Sequence, residues 1–101
     1  RRQAIDKYLA YRRAGGKNNH PGARLCARIG QIIRAGETAR LAGKLEQIAA
    51  SPNIPAAGKL LIVKLQAIVA GSRDPALSED PDLHYQYAAE LRLLLEELAG
   101  A

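Results

Sequence analysis

With 101 residues, a net charge of +5 and an apolar fraction of 48 %, the chain has the size and balance of one soluble globular domain. Its apolar set argues against a β-rich fold: Ala, Leu, Ile and Val dominate beside four Tyr, with no Phe, Trp or Met, and no segment alternates apolar and polar residues between hairpin turns. The single cysteine, Cys26, excludes an internal disulfide, no C-x-x-C or Cys/His spacing for zinc is present, and a reducing, cytoplasmic setting is expected.

The longest strictly apolar run, Leu60 to Val63, is far short of the ~20 residues that cross a bilayer, so no membrane partner is expected. The start at Arg1-Arg2 instead of Met leads us to expect a single helical domain, residues 1–101, taken from a longer protein.

Proline is tolerated at the first position of a helix and glycine is favoured just past the last, and the chain is punctuated accordingly. A first helix is predicted from Arg1 to about Ala14, burying Ala4, Ile5, Tyr8 and Leu9 and ending at Gly15-Gly16. A second starts near Pro21, capped by Asn19 or His20, and sets Leu25, Cys26, Ile29, Ile32 and Ile33 on one face before Gly36. After a tight turn, Thr38 to Ala50 carries a third stripe of Leu41, Ala42, Leu45, Ile48 and Ala49. The short connections imply antiparallel neighbours.

Ser51-Pro52-Asn53-Ile54-Pro55 breaks the chain, because proline lacks a backbone donor and forces its predecessor out of helical geometry. The fourth helix, Pro55 to Ala70, is apolar around most of its circumference and is expected at the centre of the bundle. Asp74-Pro75 is expected to start at most a single helical turn. Asp80-Pro81-Asp82 reads as N-cap, first helical residue and dipole-complementing acid of a last helix over Pro81 to Ala99, which buries Tyr87, Ala88, Leu91, Leu94, Leu95 and Leu98. The expected fold class is therefore all-α, an antiparallel bundle of about five helices.

An offset of 36 residues lays Gly22 on Gly58, Leu25 on Leu61, Cys26 on Ile62, Ile29 on Leu65, Ile32 on Ile68 and Ile33 on Val69. The chain then reads as two helical hairpins behind an N-terminal helix, a period close to that of tetratricopeptide-type repeats, although neither hairpin carries their aromatic and Gly-Tyr landmarks. The stretch Gly71-Ser72-Arg73-Asp74-Pro75-Ala76-Leu77, with Asp80-Pro81-Asp82-Leu83-His84-Tyr85 and the Leu-rich last helix, resembles C-terminal segments of bacterial helical-repeat proteins of that kind. The resemblance spans residues 71–98 and implies an interaction or capping module, with no functional residue carried over.

Chemistry-bearing motifs are sparse, and no catalytic, metal or cofactor residue is assigned. Thr38, Ser51, Ser72 and Ser78 fall in caps and turns, outside any nucleophile motif. Cys26 lies on an apolar stripe and is expected to be a small buried hydrophobe. His84 follows Glu79, Asp80 and Asp82 closely enough for a metal, but the two Asp already have a capping role. His20 is expected to be exposed or capping. Gly15-Gly16-Lys17 follows a helix, whereas a phosphate loop follows a strand. Glu46, Glu90, Glu96 and Glu97 are expected as single acids on helical surfaces.

Charge is distributed unevenly. Residues 1–50 hold eleven Lys and Arg against three Asp and Glu, and residues 51–101 hold four against seven. Arg24, Arg28, Arg34, Arg40 and Lys44 are the candidate basic face, since residues four apart stack on a helix. Leu60, Val63 and Leu93, beside the main stripes of their helices, are candidate apolar contacts for a partner helix or a second copy. The expected function is a non-catalytic protein-interaction or scaffolding module. The alternatives are a nucleic-acid-binding module using the basic half, for which no stacking aromatics interleave the cations, and a non-catalytic fragment of a larger enzyme.

Overall fold

The computed structural model describes residues 2–18 and 20–100. Among these the chain is all helical: α1 (Arg2–Arg13), α2 (Pro21–Arg34), α3 (Thr38–Ala49), α4 (Ala56–Val69) and α5 (Tyr85–Ala99), with one 3-10 turn at Pro75–Ser78. An all-α bundle of about five helices is thus what the sequence forms.

The ends of α1, α2 and α4 share one device. Gly15, Gly36 and Gly71 adopt positive φ, and each lets the next residue's N–H reach back across the last turn, as in Gly16 N to Tyr11 O, Glu37 N to Ile32 O and Ser72 N to Ala67 O. Orphan carbonyls of each helix are thereby satisfied, in a conformation that a side chain would strain.

α2 and α5 form the middle of the molecule and run parallel. A Cβ on Gly22 would meet the Tyr87 ring and one on Gly30 would meet Leu94, while Arg34 pairs with Glu97, so both chains advance together. Gly22, Ala23, Cys26 and Gly30 are all buried on α2, and the lack of bulk there lets α5 approach closely. α1 and the 3-10 turn pack on α5, α3 packs on α4, and α2 touches both sets. The core joins Ile29, Leu45, Leu65, Ile68, Leu83 and Leu91, all of them fully buried.

Two sequence expectations are corrected here. α4 is not the central helix: Val63 in its middle is 54 % exposed, whereas α5 buries six residues from Ala88 to Leu95. A broadly apolar helix can lie on the outside when its extra side chains are only half covered, as Leu60 and Val69 are. The plan of two helical hairpins also fails in its second half, because α4 packs chiefly on α3 and α2, and α5 on α2 and α1.

The start of α5 is the third correction. Asp80 does cap, but it caps a turn: its Oδ1 accepts from Asp82 N at 2.9 Å, and Leu83 N donates to Asp80 O. That turn delivers Leu83 into the core at 1 % exposure. His84 then becomes the N-cap of α5, its Nδ1 accepting from Gln86 N.

Candidate functional site

The outer flank of the α2–α3 hairpin is built by helical phase. On α2, Gly22, Gly30 and Arg34 mark the side turned to α5; at about 100° per residue, Arg24 and Arg28 fall on the other flank. On α3, Thr38, Ala42 and Glu46 line a cleft of about 330 Å³ with Gln66, Val69 and Ala70 of α4. By the same phase Arg40 and Lys44 fall on the flank away from that cleft. All four cations are exposed, and among the described residues none of them makes an ion pair.

Several cations elsewhere are paired. Arg13 meets Glu96 at 2.8 Å, Arg34 meets Glu97 at 2.6 Å and Lys64 meets Asp80 at 3.0 Å. Arg34 therefore leaves the basic face proposed from sequence. It sits more than a quarter turn from Arg28 around α2, on the α5 side, where the acidic end of α5 claims it.

The three apolar candidates do not form one strip. Val63 is exposed on α4 and Leu60 beside it is packed against the core. Leu93 is half-buried and lines a small cleft between α2 and α5 with Ala27, Glu90 and Glu97.

Glu90 overturns its surface assignment. Its carboxylate is only 3 % exposed and accepts from Arg12 Nε at 2.7 Å, while Arg12 Nη1 donates to Gly16 O at 2.7 Å. The bond to Glu90 raises the Arg12 pKa, and burial, reinforced by the same carboxylate, raises that of Tyr8 even against the hydrogen bond from Asn18. Helical spacing could not reveal this pair, because its partners are 78 residues apart.

Cys26 is a buried thiol, and burial followed by the Glu90 charge pushes its pKa from 9.0 up to about 12. Such a thiol is inert at neutral pH. His20 caps α2 by accepting from Gly22 N, and Asn19, the other cap considered, lies outside the described residues. Gly15-Gly16-Lys17 closes α1, with Tyr11 Oη donating to Lys17 O at 2.8 Å. Ser78 Oγ donates to Pro75 O inside the 3-10 turn. Beside that turn an open cleft of about 720 Å³ separates α1 from α5, lined by charges of both signs from Asp6, Glu79 and Arg92.

No family model, curated protein or solved structure matches the chain. Among the described residues, no group of three or more His, Cys, Asp or Glu is placed to hold a metal ion, and no helix is long and apolar enough to cross a membrane.

Proposed function

We propose that the chain is a non-catalytic helical protein-interaction module whose outer α2–α3 flank docks on an acidic surface of a partner. The observation that carries this reading is the set of four exposed cations, Arg24, Arg28, Arg40 and Lys44, that lack an acid partner among the described residues. Each helix places two like charges four residues apart, an arrangement that costs about 0.2–0.5 kcal/mol per pair in an isolated helix. Arg12, Arg13, Arg34, Lys64 and Arg92 each have an acid partner, and among the described residues Lys7, Lys17 and Lys59 stand without one but not as pairs on one helix face. On this flank the relief would come from a partner, whose complementary charge would also steer the encounter.

A second reading draws on the same flank: phosphates of a nucleic acid could take the place of carboxylates. Protein is favoured because the aromatic rings that would stack on bases are elsewhere. Tyr8 and Tyr11 belong to α1, and Tyr85 and Tyr87 to α5.

The test is a titration of labelled polyglutamate and of a labelled DNA duplex at about 50 and 200 mM salt, where counterion release separates the two by slope. Arg24→Glu/Arg28→Glu/Arg40→Glu should abolish binding to polyglutamate. Lys7→Glu/Lys17→Glu/Lys59→Glu, the same charge change made at exposed cations outside the flank, should retain it. Equal losses in both variants would reduce the effect to net charge, and tighter binding to DNA than to polyglutamate would favour the second reading.

A further inference from the structure

α4 carries two apolar stripes on opposite sides. Leu61, Ile62, Leu65 and Ile68 are buried in the core. Ala56, Leu60, Val63, Ala67 and Ala70 follow one another in steps of four, three, four and three, the spacing that keeps one seam of a helix turned to a partner helix. At about 100° per residue the middle of that seam lies opposite the middle of the buried stripe. Ala56, Val63 and Ala70 are exposed, and Leu60 and Ala67 are half-buried, because α4 packs chiefly on α3 and α2. A helix that is apolar on both sides calls for cover on both.

We propose that the outer seam of α4 is covered by α4 of a second copy, running antiparallel about a two-fold axis at Val63. Such an axis makes one surface complementary to itself. Val63 meets its own counterpart, and Leu60 of one copy falls at the level of Ala67 of the other, where the small side chain leaves room for it. Ala56 and Ala70 oppose each other, so the ends of the seam allow close approach.

Charge selects a second copy over an unrelated partner. Lys59 flanks the seam on the same side of α4 as Gln66, which lines a cleft together with Glu46 of α3. Lys59 and Glu46 are both exposed, and among the described residues neither makes an ion pair. Lys59 stands four residues before Val63 and Ala67 four after it. The axis therefore carries Lys59 of one copy to the level of Ala67, next to Glu46 of the other, and an antiparallel two-fold keeps the α3 sides together. The pairing occurs twice. The seam is short, since the 14 residues of α4 span about 20 Å. A contact of that length buries on the order of 400 Å² per copy, about half of what a standard interface takes. The dimer is accordingly reversible, with a Kd on the order of 10⁻⁴ M, and the chain is monomeric at the low micromolar concentrations used for unfolding.

Sedimentation equilibrium of the full chain between about 5 and 500 µM tests the dimer, because this range brackets the expected Kd. The wild-type mass should rise from one copy towards two. Val63→Lys, Lys59→Glu and Glu46→Lys should each weaken association about tenfold, while circular dichroism at low concentration shows unchanged helix. An equimolar mixture of the Lys59→Glu and Glu46→Lys chains should associate as wild type does, because each chain then finds the opposite charge across the axis. A wild type that stays monomeric throughout, a dimer that Val63→Lys leaves intact, or a mixture that associates no better than its components would overturn the proposal.

Discussion

Arg12 on α1 donates from Nε to a Glu90 carboxylate on α5 that is almost wholly removed from water, at 2.7 Å. The arginine itself remains 26 % exposed, so the pair is lopsided: the acid depends on the cation far more than the reverse. Removing a partner from a buried carboxylate costs about 3–5 kcal/mol when both are buried, and the partial exposure of Arg12 reduces that here.

We therefore expect Arg12→Ala to lose about 2 kcal/mol in urea unfolding, and Arg12→Ala/Glu90→Ala to lose less than the sum of the two single variants. Additive losses would show that the contact contributes no coupling.

Cys26 should resist alkylation at pH 8 in the native protein and react at once in urea, as followed by thiol titration. Its folded pKa of about 12 lies above the unfolded value near 9. The unfolded state thus sheds its proton first, and this group's contribution to stability falls as pH rises from about 9 to 12. Rapid native labelling at pH 8 would mean that the α2–α5 contact opens readily.

Two glycines inside helices should respond in opposite directions. Gly22→Ala would drive a Cβ to 2.2 Å from the Tyr87 ring, a clash expected to cost about 1–3 kcal/mol even after the gain in helix propensity. Gly43 on α3 has no atom within 4 Å of the position a Cβ would take, and Gly43→Ala should stabilise by about 0.5–1 kcal/mol. Chemical denaturation distinguishes the two. A tolerated Gly22→Ala would contradict the close parallel packing.

On α4, Leu65→Ala should cost about 2–5 kcal/mol, since its side chain is fully buried. Val63→Lys should change stability by no more than about 0.5 kcal/mol, because an exposed side chain leaves no cavity. A large loss at Val63 would return α4 to the centre of the bundle.

The helices themselves were legible because their ends are marked locally. Pro21 starts α2, and glycines close α1, α2 and α4, each by a rule that involves only a few neighbouring residues. What could not be read were relations across the chain. Asp80-Pro81-Asp82 satisfies the local chemistry of a helix start, yet the same residues build a turn once Leu83 is drawn into the core. Burial of Leu83 decides between them, and that depends on the packed fold. The surroundings of Glu90 and Arg34 are hidden from the sequence for the same reason, each having its partner on another helix.

Gly22, Ala23, Cys26 and Gly30 do carry a sequence signal of the fold: small residues recurring along one side of α2 mark the side on which another helix packs close. His20 was recognised as a potential cap, but the parallel α2–α5 contact that sets it beside His84 has no sequence signature. That Arg24 and Arg28, and likewise Arg40 and Lys44, share one face of their helix follows from a spacing local to each helix, and all four are exposed.

The most direct measurement of the central claim is the map of amide shift changes when polyglutamate is titrated into the isotopically labelled chain. Docking through the α2–α3 flank predicts changes concentrated at Arg24, Arg28, Arg40, Lys44 and their helical neighbours, fading as salt rises. Changes centred on the cleft between α1, the 3-10 turn and α5, or none at low salt, would contradict it.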